Sequence, residues 1–343
     1  MNIGCMSQSM HPILFKQFLI KVKTSLFYLG LLGMFLMFTL YVSAQATDDA
    51  RKKAIEQFRR FPLNIRFSQD VLSGSDYKME KNDLLINEGS SSEALRTSLN
   101  ISMPIYKSKM GLLTLGGFYN FHNIKFAKEI PEEYSWHPNM GREHHTWGVQ
   151  SAYIYSSKLW DRRLTIITNF KGEFSEQGFE RATGIAVGML QIKETGSSSF
   201  GVGAVLLVNT TSPWPLFPFF TYRRKFSEKW SLDLMLPQLY VNYKPTQKDK
   251  ISGGLSIFGE HFYINPRHKE LPTTCMYGRS NFRPEIVYEH NLNALLKIFV
   301  KSGASICINS RLYSSDGNKR YIDISQKPSL FFQIGMSYGM GAF

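Results

Sequence analysis

The sequence predicts an all-β chain, an antiparallel transmembrane β-barrel of about 12–14 strands with periplasmic termini. Three observations lead there. Segment after segment alternates apolar and polar residues with a period of two, the pattern of strands with one greasy and one polar face. An apolar leader opens the chain and marks the remainder for export. Short turns and long loops alternate behind it, as in a barrel with one plain rim and one elaborate rim.

Composition supports this class. A chain of 343 residues could hold one large barrel or two soluble domains. Aromatics at 14% and 26 glycines favour tightly packed β structure with aromatic belts. A mean hydropathy of -0.20 argues against a bundle of membrane helices but not against a barrel, whose strands are only half apolar. Of three cysteines, Cys5 lies in the leader, and Cys275 and Cys307 are too few for a disulfide scaffold, so no bridge is expected. The net charge of +13 arises in part from Lys16, Lys21 and Lys23. No nucleic-acid motif accompanies it, which leaves lipopolysaccharide or a basic lumen as the counterpart of the charge.

The elements follow in order. Residues 25–42 carry no charge, follow three lysines, and lead into Val42-Ser43-Ala44-Gln45-Ala46, whose small residues suit a signal peptidase. Cleavage after Ala44 is expected, after Ala46 is the close alternative, and a retained anchor competes with both. The division is a leader over 1–44, a periplasmic segment over 45–62 and a barrel over 63–343. Within the second, 47–61 has the pattern of a short amphipathic helix, with Ile55, Phe58 and Phe61 on one side and Pro62 at its end.

Strands are expected over 63–71, 97–106, 112–126, 144–156, 162–175, 181–193 and 199–209, then over 216–226, 230–236, 238–243, 251–264, 280–290, 295–313 and 328–343. Long loops are expected over 72–94, 127–143 and 265–279. Pro237 makes a minimal bend, and if the two strands around it are one broken element the count falls from fourteen to twelve.

The faces show where charge can go. In the last strand Leu330, Phe332, Ile334, Met336, Tyr338 and Met340 share one face, opposite Phe331, Gln333, Gly335, Ser337, Gly339 and Gly341. In 295–313, Leu296, Ile298, Val300, Ala304, Ile306, Ile308 and Leu312 oppose Lys297, Lys301, Ser305, Asn309 and Arg311, and Cys307 shares the inward parity. In 162–175, Leu164, Ile166, Phe170 and Phe174 oppose Arg163, Thr165, Asn169, Lys171 and Glu173. In 181–193 both faces are apolar. A lysine on the lipid face near midplane costs about 2–4 kcal/mol, so the charged faces must turn to the lumen. The candidate lumen-lining residues are therefore Lys171, Glu173, Arg283, Glu285, Glu289, Lys297, Lys301 and Arg311. Opposite signs on neighbouring strands would form a ladder of ion pairs, read either as a selectivity wall or as a neutralised filling that holds the barrel together.

Enzymatic and metal chemistry find little footing. Glu285 and Glu289 resemble an acid–base pair but are surrounded by cations. His137, His144 and His145 lie near Glu129, Glu132 and Glu133 without a ligand spacing, so no metal and no cofactor is expected. No His-x-Ser occurs, the local signature of barrel lipases, and no enzyme is expected. Aromatics near strand ends, Trp147, Trp160, Trp214 and Trp230 among them, read as interface girdles rather than a sugar-stacking path.

The leader ending Val42-Ser43-Ala44-Gln45, the hairpin over 218–237 with its Ser227-Glu228-Lys229-Trp230 turn, and the closing strand to Phe343 carry a resemblance over nearly all the mature chain. It resembles the single-barrel outer-membrane proteins of Gram-negative bacteria, specifically a family defined only as outer-membrane β-barrels of unknown function. Phe343 departs from the usual assembly signal, lying one step out of phase with Met340, Tyr338 and Met336; a bulge near Gly341 would restore the phase. The resemblance transfers no catalytic residue. It implies outer-membrane lipid, lipopolysaccharide and the barrel-assembly machinery as partners. With the net-basic lumen it suggests porin-like passage of small, anion-leaning solutes, against a non-conducting barrel that acts through its outer loops.

Overall fold

The computed structural model describes residues 63–82, 84–126, 143–208, 215–235, 238–265, 271–315 and 317–339. The expected leader, the helix over 47–61, most of the loop over 127–143 and the terminal Phe343 lie outside them. So does residue 237.

The described chain forms one sheet of β1 (Asn64–Lys81), β2 (Leu84–Lys107), β3 (Gly111–Phe126), β4 (Glu143–Leu159), β5 (Arg162–Ser175), β6 (Gly178–Glu194) and β7 (Ser198–Val208), followed by β8 (Leu216–Lys225), β9 (Trp230–Met235), β10 (Gln238–Tyr243), β11 (Asp249–Ile264), β12 (Cys275–Asn291), β13 (Leu296–Ser314), β14 (Arg320–Gln326) and β15 (Ser329–Tyr338). From β1 to β14 each strand pairs antiparallel with its neighbour in sequence. β14 and β15 are successive halves of one strand, both lying between β13 and β1. They close the sheet, giving a 14-strand barrel. Closure leaves no strand edge along the seam, the condition for a sheet to sit in lipid.

β9 and β10 are separate strands, which decides the strand number in favour of fourteen. Both ends of the described barrel lie at one rim, hereafter the near rim. Its turns are short, and the two-residue turn between β4 and β5 has positive φ at both Trp160 and Asp161. At the far rim the expected loop over 72–94 is instead extended hairpin: Tyr77 pairs with Gly89 and Met79 with Asn87. Its serines and charges hid an alternation, Tyr77 and Met79 inside with Lys78 outside. β12 likewise begins at Cys275, inside the stretch assigned to a loop.

The outward face is apolar as alternation demands. Leu330, Phe332 and Ile334 are exposed on β15, as are Ile101, Met103 and Ile105 on β2 and Phe170 on β5. Phe331 and Gln333 on the opposite face of β15 are buried.

Two irregularities shape the interior. The first is a bulge at Ile308: Ser280 pairs with Asn309, but Asn281 pairs with Cys307. An extra residue in one strand reverses the facing beyond it. Leu312, expected outside, is therefore buried at 0% relative exposure, whereas Arg311 turns out and its side chain stays 34% exposed beside Asp323. The second is the height of the wall. β9 and β10 have six residues each, while β11 has sixteen. Thr221 is the last β8 residue to meet β9, and Leu255 the last β11 residue to meet β10. Among the described residues, 216–220 of β8 and 256–264 of β11 have no strand partner on their facing sides. The barrel wall is notched between β8 and β11.

Beside the notch, the upper part of β11 crosses the lumen to β4. The Phe262 ring stacks on His144 at 4.8 Å and lies 4.8 Å from the rings of His122 and Tyr277. With Tyr77, Met79, Ile264, Leu312, Ile322 and Ile324 it forms an apolar core inside the far end of the barrel.

Candidate functional site

Beneath that core lies a charged layer assembled by alternation on six elements. Asp70 on β1 faces Arg96 on β2 at 3.8 Å and Arg283 on β12 at 3.9 Å. Glu260 on β11 accepts from Arg279 Nε at 2.7 Å, and its other oxygen lies 3.8 Å from His122 Nε2. Arg283 also stacks on Phe258 at 3.7 Å and on Phe331 at 4.5 Å, while Arg96 covers Phe258 at 4.8 Å. Lys301 approaches Glu285 at 3.7 Å. Arg96, Arg279, Arg283 and Lys301 thus outnumber Asp70, Glu260 and Glu285 by one charge. Side chains at this depth have lost most of their water, so each charge depends on its partner. Arg283 Nε and Nη2 and Asp70 Oδ1 are nonetheless buried without a hydrogen-bond partner.

Toward the near rim the polar wall becomes looser. Glu289 pairs with Lys250 and Lys297, each at 3.3 Å. Tyr240 donates to Glu285 from two strands away. It can do so because Gly254 has no side chain: a Cβ there would meet the Tyr240 ring at 2.6 Å.

A second cluster stands on the other side of β11. Glu173 Oε2 on β5 receives Arg181 Nε at 3.2 Å, His261 Nε2 at 2.8 Å and the Tyr263 hydroxyl at 2.6 Å. His261 and Tyr263 alternate with Glu260 and Phe262, so the two faces of β11 serve different neighbours. One face completes the apolar core and charged layer, and the other ties the strand to β5 and β6. Lys171, two residues before Glu173, lies over Phe118 at 5.5 Å.

Of the residues singled out from sequence, Glu285 and Lys301 meet, as do Glu289 and Lys297. Arg283 joins Asp70, and Glu173 joins Arg181. Arg311 departs from the expectation: the Ile308 bulge carries it to the outer face, where it pairs with Asp323 at 2.8 Å. Sequence reasoning missed Asp70, Arg96, Arg181, Glu260 and Arg279. Arg279 could have been found by extending the parity of Arg283, Glu285 and Glu289 backward. His144 lies in β4, within the strand expected from 144, and its side chain is buried. Among the described residues no cluster suits a metal ion, and Cys275 and Cys307 are free thiols.

From β5 to β8 the lumen wall changes character. Counting alternately from Arg181, Ile185, Val187 and Met189 face inward on β6, joined through the register by Val205 and Leu207 on β7 and Phe217 and Phe219 on β8. Thr221 Oγ1 lies 3.7 Å from Met189 Sδ, as this shared facing requires.

The even-stranded closed barrel, apolar without and charged within, is the architecture of an outer-membrane β-barrel. No protein-family model and no curated protein matches the sequence. Solved structures share the fold at low identity. An outer-membrane channel from Pseudomonas putida F1 aligns over 80% of this chain and 95% of its own, with 8% identity and a TM-score of 0.41. A Pseudomonas aeruginosa FadL homologue aligns over 81% and 90%, at 8% identity and a TM-score of 0.31. Outer membrane phospholipase A from Escherichia coli aligns over 78% and 92%, at 7% identity and a TM-score of 0.31.

Proposed function

We propose that the protein is a non-enzymatic outer-membrane channel that passes small solutes along the β5–β10 side of its lumen. The observation that carries this is the state of the inward side chains there. Ile167, Ile185 and Phe217 face the lumen yet remain 38%, 40% and 38% exposed, so that side is unfilled. The opposite side is closed at the far end by the core around Phe262. The core narrows any path to the β5–β10 side, and the excess cation in the charged layer lies beside that route rather than across it.

The notch supplies the outer mouth. Six residues at about 3.3 Å each, tilted by about 40°, raise the β9–β10 wall by roughly 15 Å, against an apolar band of about 25 Å. A solute ascending the apolar β6–β8 face would then reach the edge of the wall within the bilayer. The near rim is read as periplasmic and the outer face as lipid-bound, with lipopolysaccharide at the far rim.

Liposome flux tests this reading. Reconstituted protein should accelerate entry of small apolar and amphipathic solutes while giving little steady ion conductance in planar bilayers. Large, constant ion conductance would show an axial pore instead. The sealed far end favours a second reading, a closed barrel that acts through its far-rim hairpin. Absence of all flux, with partner binding lost on shortening 73–91, would establish it.

A further inference from the structure

A pocket of ≈ 250 Å³ opens between β6 and the back of β11–β13, and Arg181, Gly259, His261, Ser280, Asn309 and Tyr313 help line it. Arg181 is buried, and its Nε is spent on Glu173. Its Nη1 is buried without a hydrogen-bond partner. Glu173 Oε2 already accepts from Arg181, His261 and Tyr263, so this carboxylate answers several donors at once. Glu260 and Arg279 also reach the lining but are spent on each other, so Arg181 Nη1 is the donor left unpaired there. A buried donor without an acceptor is destabilising, and a ligand supplying the acceptor would recover that loss.

The same strand continues into apolar wall. Thr183, Ile185, Val187 and Met189 follow Arg181 on the inward face. At about 3.3 Å per residue, Ile185 lies roughly 13 Å along β6 from Arg181. Phe217 and Phe219 extend the apolar surface across the register. A polar pocket too small for a whole drug-sized molecule therefore adjoins a long apolar track.

We propose that this pocket is a head-group site for a small amphipathic solute, whose carboxylate or carbonyl oxygen accepts from Arg181 and whose apolar body lies along β6–β8. The assignment deepens the channel reading and rests on it for the solute's route, but its binding step can be tested separately. Gly259 offers a clean probe of the pocket, because a Cβ built there meets nothing within 4 Å. A leucine at this position would fill the space while leaving the hydrogen bonds of Glu173 and Arg181 in place.

The test uses the full protein in lipid nanodiscs, titrated calorimetrically with octanoate, 2-octanone and acetate and referenced to empty nanodiscs. Octanoate should bind saturably and acetate at least ten-fold more weakly, because it has no body to lie on the track. Equal binding of 2-octanone assigns recognition to the acceptor oxygen, whereas binding of octanoate alone assigns it to the charge. Arg181→Gln should weaken octanoate at least ten-fold, and Gly259→Leu should abolish saturation. Boiling-dependent gel migration and circular dichroism verify the fold. Should Arg181→Gln fail to fold, Gly259→Leu decides the outcome. Unchanged octanoate binding in Gly259→Leu, or acetate binding as tight as octanoate, overturns the proposal. Solute flux without saturable binding overturns the site and leaves the channel, while pocket-dependent binding without any flux supports the site and overturns the channel.

Discussion

Phe262→Ala is the sharpest test of the sealed far end. Phe262 has 0% relative exposure, and its ring meets the rings of His122, His144 and Tyr277, each at a centroid distance of 4.8 Å. These partners stand on β3, β4 and β12, so the side chain bridges the lumen. Removing a buried phenyl ring from a packed core costs about 3–5 kcal/mol, the transfer loss and the cavity acting together. Aromatic contacts beyond burial account for about 0.5–1.5 kcal/mol per pair. Collapse should recover little, because the ring's neighbours are fixed in separate strands of a closed sheet. The expected loss is therefore about 3–5 kcal/mol. It is measured by urea titration of protein folded in bilayers, read by tryptophan fluorescence. Planar-bilayer recordings of the same variant should show added ion conductance as the far end loosens. A loss below about 1 kcal/mol with unchanged conductance would refute a packed seal.

The bulge at Ile308 predicts a contrast between two arginines. Arg279→Ala removes the partner of buried Glu260 and should cost about 3–5 kcal/mol, whereas Arg311→Ala breaks an exposed pair worth about 0–1 kcal/mol. Comparable urea midpoints for the two variants would place Arg311 inside after all. Ile306→Arg puts a charge on the outward face of β13 and should destabilise by about 2–4 kcal/mol if near midplane, while wild-type stability would show that this face does not meet lipid. A water-soluble maleimide should modify Cys307 in the folded protein and spare Cys275, which is fully buried; mass spectrometry of the labelled peptides reads the difference, and equal labelling would contradict the closed core.

Much of the barrel was legible because alternation is local. Each residue's parity follows from its neighbours, so the lipid face of β15 and the charged faces of β5 and β12 could be read before any strand was paired. Pairings such as Glu285 with Lys301 followed from strand adjacency, since successive strands of a meander lie side by side. Polar composition defeated the reading at 72–94, where serines and charges conceal paired strand beyond the apolar band.

The sequence by itself determined an all-β chain whose greasy and charged faces are separated by parity. Tertiary structure decided what parity cannot carry. Ile308 reverses the facing of Arg311 and Leu312 because a bulge is defined by the partner strand's register, not by the bulged strand's own residues. Arg181, His261 and Tyr263 converge on Glu173 because β11 crosses the lumen beside the short β9–β10 hairpin. That crossing joins strands far apart in sequence. It depends on the unequal heights of the wall around a closed ring, a property of the assembled sheet that no single strand contains.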